Sequence, residues 1–128
     1  MRSTETLRPS KRLGQHFLRD RTVISEIIER SEFLKSDHIL EIGPGLGALT
    51  IPLASRVNHV SAVEKDRRLV ETLGKRLVQE GISNVTLIDD DILKVDLKAV
   101  GNAAGGRLKA IGNLPYNISS PFIERLLK

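Results

Sequence analysis

The chain has 128 residues, 40% apolar and 28% charged, which is one domain's worth of a globular protein and long enough to bury a core. It contains no cysteine, which excludes disulfides, zinc-thiolate sites and thiol catalysis and fits a reducing compartment. No segment approaches the roughly 20 apolar residues of a membrane span, and the basic start leads into no apolar signal core, so a soluble, cytoplasmic protein without a membrane partner is expected.

The formal net charge of +4 lies at the start. Residues 1–22 hold Arg2, Arg8, Lys11, Arg12, Arg19 and Arg21 against Glu5 and Asp20, and the remainder balances at 14 basic and 14 acidic residues. Such an arm can neutralise several phosphates of a nucleic acid. On charge alone a solvated, mobile terminus is the favoured reading.

After the arm, "DRTVISEIIERSEFL" carries Val23, Ile24, Ile27 and Ile28 at helical spacing, with Asp20 placed as N-cap. "HILEI" (38–42) is an apolar run ending at glycines, and "ALTIPLASRV" has helical character with Pro52 inside it, which predicts a kink or a late start. "HVSAVE" (59–64) reads as a second strand, and 66–81 as a helix with Leu69, Val70, Leu73 and Leu77 inward and Gly81 closing it. "NVTLI" (84–88) is a third strand, and "DDDILKVDLKAVGNAAGG" holds a short helix and a loose turn before a fourth strand at 107–113. Strands alternating with helices predict parallel βαβ units with right-handed crossovers and a sheet covered on both faces.

In such a sheet ligands bind beyond the carboxyl ends of the strands. The residues there are Gly43, Gly45 and Gly47 in "EIGPGLGAL", Glu64, the "DDDI" turn with Asp91 and Ile92, and "NLPY". Glycines let the backbone turn sharply and approach a ligand. Glu64 lies 21 residues after Gly43, close to the offset at which a carboxylate takes ribose hydroxyls. The glycine pattern alone fits both S-adenosyl-L-methionine sites and dinucleotide sites. Glu41 shifts the balance, because a carboxylate repels a pyrophosphate but suits a ligand carrying an ammonium and a sulfonium. Glu64 alone is an ordinary charged strand end, and "DDD" alone a solvated acidic turn; their joint order is what points to an adenosine-containing ligand. No metal site is predicted.

"NLPY" has a chemical reading in that position. The exocyclic amine of adenine is a poor nucleophile because its lone pair is delocalised into the ring, and two hydrogen-bond acceptors localise it. Asn113 offers a side-chain carbonyl, and the backbone carbonyl of Leu114 offers a second if Pro115 fixes the turn. Tyr116 stacks on the face of an extruded base. With the amine held in line behind a sulfonium methyl, displacement requires mainly positioning. The plainer alternative is an ordinary turn with Tyr116 as a lid on the core.

Five ordered segments, "KRLGQHFLRD" (11–20), "LEIGPGLGALT" (40–50), "VEKDRRL" (63–69), "DILKVD" (91–96) and "NLPYNISSPF" (113–122), give the chain a specific resemblance to a known family. It resembles the ribosomal RNA adenine dimethyltransferases, those that dimethylate two adjacent adenines near the 3′ end of small-subunit RNA. The resemblance implies an α/β, Rossmann-like S-adenosyl-L-methionine-dependent methyltransferase fold with a mostly parallel sheet. It also implies that Gln15, His16 and Leu18 close over the methionine part of the cofactor, with the Gly43–Gly47 loop beneath it and Glu41 beside it. Glu64, with Lys65 next to it, would hold the ribose, Asp91 and Ile92 the cofactor adenine, and Asn113, Leu114, Pro115 and Tyr116 the target base, Asn113 also lying at the cofactor. His16 is often asparagine in the family, so it carries over as a polar cofactor contact and not as a base.

Members of that family run to roughly twice this length, with further strands and a small helical RNA-gripping domain. The chain therefore reads as an N-terminal piece, with residues 1–19 a basic arm bearing the cofactor-closing segment and 20–128 a partial methyltransferase domain. A fourth strand left at an edge is open to pairing, so self-association of the chain is expected. Beside the RNA methyltransferase reading stand a non-catalytic nucleic-acid-binding relative and a nicotinamide oxidoreductase, the latter disfavoured by Glu41 and "NLPY". The related large-subunit enzymes of macrolide resistance share much of the pattern, and "NLPYNISSP" leans to the small-subunit group. In this light Lys11, Arg12, Arg19 and Arg21 become candidate phosphate contacts to ribosomal RNA or a pre-ribosomal subunit.

Overall fold

The computed structural model describes residues 21–105 and 108–112. Its elements are α1 (Arg21–Ser31), β1 (His38–Ile42), α2 (Thr50–Ala54), β2 (His59–Glu64), α3 (Arg67–Gln79), β3 (Val85–Asp89), α4 (Leu97–Ala103) and β4 (Lys109–Gly112). The four strands form one parallel sheet in the order β3-β2-β1-β4. The chain steps outward from β1 to β3 on one side and then returns to pair β4 on the other. That reversal opens a crevice between the carboxyl ends of β1 and β4, the position where open α/β sheets bind ligands.

β1 is apolar on both sides because both of its faces are covered. Ile39 packs with Ile24 and Ile28 of α1, Leu53 and Ala54 of α2, Val60, Ala62 and Ile111 in one core. Leu40 and Ile42 point the other way, into a second core with Val63, Ile92, Val95 and Leu97, against which Val100 of α4 packs. α3 adds the buried Leu73 and Leu77.

The local chemistry explains the element boundaries. α2 starts late, so Pro52 falls in its first turn, where a missing N–H costs least. Asp66 caps α3 by accepting from Arg68 N at 3.0 Å. Gly81, at φ 69°, ends it, with Ile82 N donating to Leu77 O at 2.9 Å and Gly81 N to Val78 O at 3.1 Å, the paired bonds of a Schellman motif. Asp96 caps α4 by accepting from Ala99 N at 3.1 Å. The third strand lies one residue later than the apolar run suggests, at Val85–Asp89, because Asn84 is drawn into the turn, its Nδ2 donating to Ala54 O at 2.7 Å. The Asp20 cap and positions 107 and 113 of the predicted fourth strand lie outside the described residues.

At the opposite, amino edge, the parallel register sets His38 beside His59, with ring centroids 4.8 Å apart. His38 Nε2 is 2.8 Å from Ser61 Oγ, and His59 Nε2 is 2.7 Å from Thr86 Oγ1. Burial first, and then the adjacent His59, lower the His38 pKa from 6.5. Native His38 thus binds fewer protons than unfolded His38, so its effect is absent above that value and becomes a penalty as pH falls below it. Urea midpoints between pH 7.5 and 5.5 are expected to fall less steeply for His38→Gln than for the parent; parallel curves would show that this pair does not govern the acid limb.

Candidate functional site at the carboxyl edge of the sheet

β1 continues past Ile42 into the glycine loop without losing its pairing, since Gly43 N donates to Val63 O at 2.8 Å. Gly43, Gly45 and Gly47 have φ of 71°, 60° and 89°, the left-handed region that favours glycine. They serve two different ends. A Cβ on Gly43 or Gly45 would meet nothing within 4 Å, so these two leave an open cradle, whereas a Cβ on Gly47 would stand 2.5 Å from Leu73 Cδ1. Gly47 is therefore where the loop rests on α3. Arg76 of α3 adds a second brace, donating from Nη1 to Leu46 O at 3.2 Å while its Nε pairs with Glu80 at 2.7 Å.

Glu64 ends β2 directly behind this loop and is only 9% exposed. Its Oε1 accepts from Gly45 N at 3.1 Å and its Oε2 from Asp66 N at 3.0 Å. Two backbone donors thus fix the carboxylate and tie the loop to β2, and each oxygen keeps a further lone pair for a hydroxyl donor. Lys65 next to it is exposed.

Glu41 lies deeper, 2% exposed, one residue before the end of β1. Its Oε1 accepts from the Thr50 hydroxyl at 2.5 Å, and Thr50 is fully buried at the start of α2. Burial pushes the Glu41 pKa up to about 7, against the Thr50 hydrogen bond, which lowers it; the neighbouring Glu64 charge adds to the rise. Among the described residues no Lys, Arg or His forms an ion pair with Glu41.

The acidic turn after β3 extends the same edge, with Asp90 N donating to Glu64 O at 3.2 Å. Asp90 Oδ1 accepts from Asp91 N at 2.7 Å and Asp91 Oδ1 from Leu93 N at 2.9 Å, so part of this carboxylate run organises its own turn. The Ile92 side chain is buried in the second core, which leaves any ligand contact by this residue to its backbone. On β4, Gly112 is paired with Ile42, and a Cβ there would stand 2.7 Å from Ile42 O. This glycine lets β4 close on β1 immediately before Asn113.

The structure thus gathers Glu41, Gly43, Gly45, Gly47, Glu64 and the Asp91 turn at one edge. Arg21 is exposed as the first residue of α1. Lys11, Arg12, Gln15, His16, Leu18, Arg19, Asn113, Leu114, Pro115 and Tyr116 lie outside the described residues. Sequence reasoning missed Thr50, whose role depends on a contact across nine residues, and Gly112, whose one signal is a glycine between a strand and "NLPY". Among the described residues no helix is long and apolar enough to cross a membrane, and no group of three or more candidate ligands for a metal ion occurs.

A family model for the ribosomal RNA adenine dimethylases matches residues 7–128. The chain belongs to that family. The chain is 46% identical over 121 residues to a ribosomal RNA small subunit methyltransferase A of Magnetococcus marinus, which covers 94% of the chain and 43% of the relative. Among solved structures of the family's fold, a dimethyladenosine transferase from Plasmodium falciparum superposes with a TM-score of 0.71 at 30% identity, over 88% of this chain and 38% of that one. The 23S ribosomal RNA methyltransferase ErmE gives 0.68 at 32% identity, over 84% and 41%. The chain therefore spans less than half the length of these family relatives.

The two kinds of glycine in the loop separate by substitution. Gly47→Ala is expected to lower stability by roughly 2 kcal/mol or more, from the left-handed φ together with the clash against buried Leu73. Gly45→Ala should cost only the roughly 1–2 kcal/mol of the backbone conformation. Urea unfolding of both variants measures the difference, and equal losses would mean that Leu73 does not limit the loop.

Proposed function

We propose that the chain is the cofactor-binding part of a cytoplasmic enzyme that methylates the N6 amines of two adjacent adenines in small-subunit ribosomal RNA, with S-adenosyl-L-methionine as methyl donor. The observation that carries this reading is the arrangement of two buried carboxylates around an open glycine cradle: Glu64 hydrogen-bonded to Gly45 N, and Glu41 beneath, which among the described residues has no ion pair. A dinucleotide pyrophosphate would gain no favourable partner from either carboxylate, whereas a cationic, phosphate-free nucleoside can be met by their negative charge. Membership of the adenine dimethylase family supports the same substrate class.

Bound S-adenosyl-L-methionine supplies an electrophilic methyl group on a sulfonium. In this reading Gly43 and Gly45 make room for its methionine part, and Gln15, His16 and Leu18 cover it. Glu64 accepts from the ribose hydroxyls. Asp91 and the Ile92 backbone take the adenine, with Lys65 exposed at the rim. Asn113 and the Leu114 carbonyl accept from the target amine and localise its lone pair, Pro115 fixes that turn, and Tyr116 stacks on the base. A base is not needed before transfer, because the amine's proton becomes acidic only after the new N–C bond forms. Lys11, Arg12, Arg19 and Arg21 hold RNA phosphates beside the cofactor segment.

The alternative of a large-subunit RNA substrate draws on the likeness to the 23S ribosomal RNA methyltransferase. The small-subunit reading draws on the higher identity to the Magnetococcus relative and on "NLPYNISSP".

Calorimetric titration tests the cofactor part directly. The chain is expected to bind S-adenosyl-L-methionine saturably, and Glu64→Ala to lose at least about tenfold in affinity, the scale of hydrogen bonds to a charged group. Equal affinities would remove Glu64 from the site. For the arm, charge reversal at Lys11 and Arg12 is expected to weaken RNA binding and to reduce the slope of log affinity against log salt by about 2. An unchanged slope would return the arm to a solvated terminus.

A further inference from the structure

Glu41 is the least accommodated charge among the described residues. Its strand neighbours in register are Ala62 on β2 and Ile111 on β4, both apolar and buried. α1 presents Ile24 and Ile28 to this core, and α2 presents Leu53, Ala54 and the Thr50 hydroxyl. The charged group facing it from β2 is Glu64, of like sign. Among the described residues no ion pair reaches Glu41: Arg76 of α3 is bound to Glu80 and Leu46 O, Arg56 beyond α2 to Glu29, and Lys109 of β4 to Asp37 at the amino end. A carboxylate kept from water, with no positive partner among the described residues, holds its proton near neutrality, in line with a pKa of about 7.

We propose that Glu41 couples cofactor binding to proton release: it is a neutral carboxylic acid in the free site and ionises when the positively charged methionine part of the cofactor enters the glycine cradle, with Thr50 tuning the exchange. The inference rests on the reading of this edge as an S-adenosyl-L-methionine site and deepens it. The balance is simple. The Glu41 O–H bond breaks, the proton goes to solvent, and the carboxylate left behind offsets one positive charge of the ligand. No oxidant or second reactant is required. Thr50 donates to Glu41 Oε1 and so favours the ionised form, which makes it a positioning residue for the coupling and not a ligand contact.

A consequence follows for affinity. At pH values below the free-site pKa, binding must first expel the proton, so each unit of acidification approaches a tenfold loss. A ligand with the same nucleoside but no positive charge has nothing to exchange for that proton.

The test is calorimetric titration of the chain at pH 5.5, 6.25 and 7.0, each in two buffers of different ionisation enthalpy, so that proton release is counted directly. S-adenosyl-L-methionine is expected to bind on the order of tenfold more tightly at pH 7.0 than at pH 5.5, with proton release rising as pH falls. Methylthioadenosine, which lacks both the ammonium and the sulfonium, should bind with no such dependence. S-adenosylhomocysteine keeps the ammonium alone: retained coupling identifies the ammonium as the sensed charge, and lost coupling identifies the sulfonium. Glu41→Gln should bind all three ligands without proton release. Thr50→Val should keep the coupling and move its onset to higher pH, an effect that a purely structural role would not produce. Binding of S-adenosyl-L-methionine without proton release, equal coupling for methylthioadenosine, or coupling that survives Glu41→Gln would each overturn the proposal while leaving the cofactor site standing. If none of the ligands binds the parent at pH 7.0, the cofactor reading falls and the proposal with it.

Discussion

Everything at the functional edge hangs on β1 being paired on both sides. Its register with β2 sets Glu41 beside Ala62 and Ile42 beside Val63, and its register with β4 sets Ile42 beside Gly112. The same ladder runs one residue further, through the Gly43 N–H, so the glycine loop leaves the sheet from a fixed point and in a fixed direction. Because both faces of β1 are covered by apolar side chains, a shift of register by one residue would exchange the two cores and put Glu41 into the wrong one. The position of the site is thereby locked to the packing of the domain.

On that frame the loop is held by opposing contacts of different kinds. Gly47 against Leu73 is a steric contact, where an added Cβ would force the buried Leu73 side chain to shift. Gly45 N to Glu64 is a charge-assisted hydrogen bond, which ties the loop to the neighbouring strand. Arg76 to Leu46 O secures the loop from α3. Between them Gly43 and Gly45 stay open above. A loop fixed at its base and bare at its surface can approach a ligand closely without reorganising, which is what positioning chemistry requires.

Electrostatically the edge is acidic and only part of it is solvated. Asp89 and Asp90 are exposed to water, whereas Glu64 and Glu41 are buried, the first satisfied by backbone donors and the second by one hydroxyl. In the proposed reading this gradient from solvated to desolvated carboxylates would suit a cationic nucleoside better than a phosphate-bearing one. It also keeps the two innermost carboxylates functionally distinct, because their environments differ more than their chemistry does.

The sequence by itself determined the alternation of strands and helices, the cap at Gly81, the glycine loop and the offset of Glu64, since each is a local rule of period, capping or φ preference. It also carried the family membership through five ordered segments. Tertiary structure alone decided that β4 returns to the far side of β1, that Thr50 meets Glu41, that Ile92 turns inward while Asp91 stays at the edge, and that His38 stands beside His59. The physical reason is range. Periodicity and capping act within a few residues, whereas strand order, burial of a charge and the partner of a hydroxyl depend on which distant segments share a face, and no local pattern encodes that pairing.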